Sequence, residues 1–189
     1  MVIKISHLED VIDVDDNVQL RAKSSESFDN FAKVAKENRD FLFKWLPWAE
    51  NTPDDSSVEH YKTAPEKKQN NEEANWDIYV NNELAGAIGA MLRDKERDVI
   101  EIGYWLAEKY NGQGIMTACT KKLCDVLFRE TTTPLIEIGA DIRNEKSKAI
   151  PQRLGFKLDR EFSEHPKLPH IDHGVYYSLT RQQWSYLFS

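Results

Sequence analysis

Cysteine is scarce in this chain of 189 residues: there are two, Cys119 and Cys124, five apart on one predicted helix. That spacing builds neither a zinc site nor a disulfide framework, and both read as small buried hydrophobes. No apolar run is long enough to span a bilayer, and the opening Met1-Val-Ile-Lys-Ile-Ser lacks the apolar core of a signal peptide. The expected compartment is the cytoplasm, with no membrane partner. A basic stripe that could track a phosphate backbone is also missing, and the net charge is −7; nucleic acid is not an expected partner. An acidic surface suits a cationic substrate such as an amine, or simple solubility, and charge alone does not choose. There is no internal repeat and no low-complexity tract.

What is present suits one domain. The chain is 40% hydrophobic and 30% charged, long enough for a full core. Residues 1–17 read as a short strand or arm and Val18–Ala22 as a strand. Ser27–Phe43 has the apolar spacing of one helix and the start of a second. The polar stretch Glu50–Asn75 reads as a helix around Val58–Lys68 followed by a mobile loop. Trp76–Val80 and Glu83–Leu92 form a hairpin about Asn81-Asn82, and Val99–Ala107 is the next strand. After Gly114 comes a helix with Ile115, Met116, Cys119, Leu123, Val126 and Leu127 on one face. Leu135–Ile142, a short helix after Asn144, the strands Phe156–Phe162 and Gly174–Leu179, and a helical turn over Gln182–Phe188 complete the order. An antiparallel first half and a strand–helix–strand–helix second half predict a single α/β or α+β layer fold.

The segment Glu108-Lys-Tyr-Asn-Gly-Gln-Gly-Ile-Met116 carries most of the chemistry. Gly112 and Gly114 sit where a strand hands over to a helix. Backbone N–H groups and the positive end of a helix bind phosphate at such a turn, and the missing side chains let the ligand approach. No Gly-Lys-Ser/Thr follows, so this is not a P-loop, and the spacing is not the dinucleotide GxGxxG pattern. A tight strand–helix turn without ligand is the plainer alternative.

Lys109-Tyr-Asn-Gly112-Gln-Gly114 resembles the Gln/Arg-x-x-Gly-x-Gly/Ala acetyl-CoA signature of the GNAT superfamily of N-acetyltransferases, with Lys109 in place of Gln or Arg. Asn144-Glu-Lys-Ser147 running to Arg153-Leu-Gly-Phe156 is similar to the family's next block, and Phe41-Leu-Phe-Lys-Trp-Leu-Pro-Trp48 resembles a segment of the RimJ/RimL-like ribosomal-protein N-acetyltransferase branch. The match covers roughly residues 18–186 of a single domain, 1–189. It implies a mixed, mostly antiparallel central sheet with splayed middle strands flanked by helices. It also implies acetyl-CoA as cofactor, an amine acceptor such as the N-terminus of a ribosomal protein, and a homodimer.

Carried onto these residues, the resemblance implies that backbone N–H groups of Lys109, Tyr110, Asn111, Gly112, Gln113, Gly114 and Ile115 hold the pyrophosphate, while the strand Tyr104–Leu106, Trp105 and Leu106 included, pairs with the pantetheine arm and polarises the acetyl carbonyl with one of its N–H groups. Asn144 either caps a helix, bonds a pantetheine amide, or does both. Ser147 is the candidate proton donor to the thiolate, or a solvated first-turn serine. Many relatives place a tyrosine acid where this chain has Pro151, which throws weight on Ser147. Glu101 is the candidate base facing the cleft, or an exposed strand carboxylate; Asp159, Glu161 and Glu164 are weaker candidates. His165, His170, Asp172 and His173 could bind a metal, yet no metal is expected, and a substrate-facing loop is the preferred reading. Trp45 reads as a core anchor, and Trp48 as core or pocket wall. The rivals are acetyl transfer to a polyamine, amino acid or antibiotic, a CoA-binding sensor without turnover, and a simple phosphate-binding module.

Overall fold

The alternating runs of the first half and the strand–helix units of the second join one sheet in a computed structural model that describes residues 5–163 and 173–188. In chain order the elements are β1 (Val11–Asp13), β2 (Val18–Ala22), α1 (Phe28–Glu37), α2 (Arg39–Phe43), α3 (Asp55–Gln69), β3 (Glu73–Val80), β4 (Glu83–Asp94) and β5 (Val99–Leu106). Then come α4 (Ile115–Glu130), β6 (Leu135–Asp141), α5 (Glu145–Arg153), β7 (Lys157–Phe162), β8 (Gly174–Thr180) and α6 (Arg181–Phe188). The strand order is β1-β2-β3-β4-β5-β6-β8-β7. Every pairing is antiparallel except β5 with β6.

Local chemistry explains most boundaries. Asn81 and Asn82 take the left-handed φ values of 50° and 65° that a two-residue hairpin turn demands. Asp54 caps α3: its carboxylate accepts from the Ser57 N–H at 2.9 Å, and the Ser57 hydroxyl oxygen accepts from the Asp54 N–H at 2.9 Å. No long loop follows α3. Asn71, at φ 58°, turns the chain, and β3 begins at Glu73 rather than Trp76. Ala74 and Trp76 alternate inward at 0% exposure, but polar Glu73 and Asn75 between them disguise the strand in the sequence.

The apolar stripe of α4 packs as expected. Ile115, Met116, Cys119, Leu123, Val126 and Leu127 are all buried, against the sheet face that carries Ile100, Ile102, Ile136 and Ile138. On the opposite face a smaller cluster gathers Phe31, Ala35, Tyr61, Tyr79 and Leu84, with Trp48 and Trp105 packed against it. Both faces of the sheet are therefore covered, and the middle of the sheet is where a ligand can enter.

Candidate functional site

The site begins where two neighbouring strands part. β5 and β6 pair over only three residues each: Val99 with Leu135, Ile100 with Ile136 and Glu101 with Glu137. Beyond that vertex β5 keeps its antiparallel partner β4 to Leu106, and β6 keeps β8 to Asp141. The facing edges of Ile102–Leu106 and Ile138–Asp141 thus offer backbone N–H and C=O groups to the gap, where a ligand can complete the ladder. A cavity of about 890 Å³ occupies it. Gly103, Trp105, Leu106 and Ala140 line it from the strands, Met116, Asn144 and Ser147 from one face, and Phe31, Trp48 and Tyr61 from the other.

The glycine loop lies at one end. Gly112 and Gly114 adopt φ values of 77° and 79°, and a β-carbon on either would meet no atom within 4 Å. Space in front of the loop, rather than crowding inside the protein, is what these glycines preserve. Gly114 starts α4 without a side-chain cap. The first N–H groups of a helix have no intrahelical partner, so this 16-residue helix presents an unsatisfied, positively polarised end. The loop's polar side chains fold back on themselves. Asn111 Nδ2 donates to the Ala107 carbonyl at 3.0 Å and Gln113 Nε2 to the Lys109 carbonyl at 2.8 Å. Lys109 pairs with Glu83 at 2.9 Å, and the hydroxyl of buried Tyr110 donates to the same carboxylate at 3.1 Å. Of residues 108–116, Glu108, Asn111 and Met116 border the cavity directly.

Opposite the loop stands α5. Asn144 Oδ1 accepts the Ser147 N–H at 3.1 Å and so caps the helix. Pro151 lies inside α5 and has no N–H to give to the carbonyl four residues earlier, which is that of Ser147. The Tyr104 hydroxyl from β5 donates to that carbonyl instead, at 3.0 Å. Burial pushes the Tyr104 phenol up, so it remains a donor at any ordinary pH. Pro151 thereby frees the carbonyl whose bond to Tyr104 ties α5 to β5 across the gap. The helix closes with a Schellman pair: Phe156 N–H to the Pro151 carbonyl at 3.0 Å and Gly155 N–H to the Gln152 carbonyl at 3.2 Å, with Gly155 at φ 80°.

Glu101 sits at the vertex, only 4% exposed, and borders the cavity. Its carboxylate lies 3.7 Å from Arg93 Nε; the same guanidinium reaches Glu137 at 2.5 Å, and Arg160 forks onto both oxygens of Glu137 at 2.9 Å. The Tyr176 ring stacks against both cations, 4.8 Å from Arg93 and 4.3 Å from Arg160. Burial, with help from Glu101, pushes its phenol up to about 12. Arg93, Glu137, Arg160 and Tyr176 were missed in the sequence. The one signal was Glu137 between Ile136 and Ile138, a carboxylate in an otherwise apolar strand. Asp159 is paired with Arg160 and exposed, and Glu161 meets His173 at 3.2 Å on the surface. Glu164, His165, His170 and Asp172 lie outside the described residues.

The far wall is aromatic. The Trp48 and Trp105 rings are 5.8 Å apart, and Phe31 is 5.8 Å from Trp48 and 4.7 Å from Tyr61. Trp45, expected as a core anchor, is half-buried and lines the cavity as well. Behind this wall is a polar group that the sequence did not betray: Lys23, His60, Asn75 and Asp77, with the Tyr61 hydroxyl donating to Asp77 at 2.7 Å. Burial, and then the Lys23 charge, hold His60 down to about 4, against 6.5 in the unfolded chain. Between those values the unfolded state binds the extra proton, so His60 contributes stability above pH 6.5 that is lost as pH falls toward 4. The loss is at most about 3 kcal/mol, reduced by partial solvent access. Urea titrations from pH 7 to 4 should show a shallower decline in His60→Gln than in the parent; equal slopes would remove His60 as the cause.

Residues 17–157 match the family described as Acetyltransferase (GNAT) domain. A Bacillus subtilis (strain 168) protein, the putative ribosomal N-acetyltransferase YdaF, is 30% identical over 177 residues, which is 90% of this chain and 95% of that protein. The solved complex of the microcin C7 self immunity acetyltransferase MccE with acetyl-CoA and AMP superposes with a TM-score of 0.83 at 22% identity, covering 93% of this chain and 99% of that one. RimL, the ribosomal L7/L12 α-N-protein acetyltransferase solved with coenzyme A, gives a TM-score of 0.82 at 23% identity over 92% and 99%. At such identities the two structures establish the shared fold.

Proposed function

The chain belongs to the GNAT family of acetyltransferases, and from that membership we propose that its acceptor is the α-amine of a protein N-terminus, with ribosomal proteins as the substrate class. It is an N-acetyltransferase that uses acetyl-CoA. The observation that carries the acceptor reading is the through-going gap. The cavity joins the glycine-loop side of the sheet to an aromatic-walled side, so the acceptor enters from the face opposite the α4 face. The near full-length similarity to YdaF supports a ribosomal acceptor.

The residues fit the cofactor. Open space before Gly112 and Gly114 and the uncapped start of α4 suit a pyrophosphate held by the N–H groups around residues 112–116. The unpaired edge at Trp105 and Leu106 suits an amide-bearing arm, and Asn144, whose Oδ1 is engaged in capping, has its Nδ2 to donate. When bound, acetyl-CoA supplies the acetyl group as an activated thioester. Glu101, positioned by Arg93, would take the ammonium proton of the acceptor through a water, and the Ser147 hydroxyl would give a proton to the departing sulfur and regain one from the acylated nitrogen.

CoA thiol release with a panel of N-terminal peptides and small amines tests the reading. Turnover of peptides is the expected result; turnover of polyamines or amino acids alone would replace it.

A further inference from the structure

Between the gap and the polar group behind the aromatic wall, the sheet has almost no side chains. Gly103 on β5 pairs with Gly89 on β4, which pairs with Asn75 on β3. A β-carbon at Gly103 would meet nothing within 4 Å, so that floor is open. At Gly89 it would lie 2.1 Å from Asn75 Oδ1, so the Asn75 amide already lies across that glycine. Trp105 flanks the trough on one side and Glu101 on the other, each two residues from Gly103 along β5. The trough runs across the strands from the reaction end to Asn75 and Lys23.

Its far end is rich in donors. Lys23 is 8% exposed and lines the cavity, with Nζ 4.6 Å from the centre of the Tyr61 ring. Asp77 and Glu73 attract it through space, but neither is in direct ion-pair contact with it: Glu73 binds Lys67 at 2.8 Å, and Asp77 accepts from the Tyr61 hydroxyl. Asn75 Nδ2 is buried without a hydrogen-bond partner. An ammonium that is nearly buried, without a direct counter-ion and beside an unused amide donor, fits an incoming anion.

We propose that Lys23 and Asn75 form a carboxylate subsite for the acceptor, so that the enzyme favours N-terminal peptides with an acidic residue at position 2 or 3. This rests on the peptide-acceptor reading above. Two strand spacings separate Asn75 from Gly103, about 10 Å, which matches the reach of an acidic side chain on the second or third residue of an extended peptide. Burial depresses the Lys23 ammonium against the raising influence of Asp77 and Glu73, and a bound carboxylate offsets that desolvation. Neither side chain touches the reacting atoms; both select and position the acceptor.

The test compares matched peptides carrying Glu or Gln at position 2, and separately at position 3, with wild type and Lys23→Met. The readout is the Glu/Gln ratio of kcat/KM, which is insensitive to the overall activity of the variant. A ratio of roughly 10 to 100 in wild type that falls to about one in Lys23→Met is expected for a charge-assisted contact. A wild-type ratio near one, or one that survives the substitution, overturns the subsite while leaving the acetyltransferase untouched. Turnover of no peptide at all overturns the peptide-acceptor reading instead. The same Glu/Gln ratio, taken from equilibrium binding of the peptides to the protein with CoA, then decides the subsite by the same criteria.

Discussion

Gly114→Val is expected to raise the KM for acetyl-CoA by about 100-fold or more while leaving a folded protein. Gly114 holds φ 79° at the start of α4, a region that costs an L-residue roughly 1–2 kcal/mol. Its β-carbon would meet no protein atom within 4 Å, so the fold suffers little beyond that strain. The ligand loses far more. If the loop holds a phosphate as proposed, the new side chain would fill that space and re-aim the first-turn N–H groups, and two lost charge-assisted hydrogen bonds would cost about 3–6 kcal/mol together. Thermal unfolding and KM measured on the same preparation separate the two effects. A KM change below about fivefold in a folded variant would remove the loop from phosphate binding.

Ser147→Ala should lower kcat by roughly 10² to 10⁴, the range for loss of a positioned acid, with little change in KM for acetyl-CoA. Stability should hold, because Asn144 and Tyr104 bind the backbone N–H and C=O of Ser147 rather than its side chain. Tyr104→Phe is the instructive contrast. It leaves the serine hydroxyl in place but strips the donor from a carbonyl that Pro151 has already denied its helical partner, at a cost of about 1–3 kcal/mol in stability. A kcat in Ser147→Ala within a few-fold of wild type would return Ser147 to a plain first-turn residue.

Features made from neighbouring residues were legible in the sequence. The Gly112–Gly114 turn, the apolar face of α4, the Asn81-Asn82 hairpin and the Asn144 cap each announce themselves within a few positions. Features assembled from distant strands were hidden. The charged vertex draws Arg93, Glu101, Glu137 and Arg160 from four different strands, and only the fold brings them within ion-pair reach. The placement of β8 between β6 and β7 has no local signature either. Lys23 and Asn75 look like ordinary polar residues near strand ends until the pairing of β2, β3 and β4 lines them along one trough. Pro151 was visible as a departure from the family pattern, but its consequence depended on Tyr104, 43 positions away from Ser147.

Acetylation of one peptide that carries both a free α-amine and an internal lysine, followed by fragmentation mass spectrometry, tests the central claim most directly. The account predicts the acetyl group on the first residue. An acetyl group on the lysine side chain, with the α-amine left free, would contradict it.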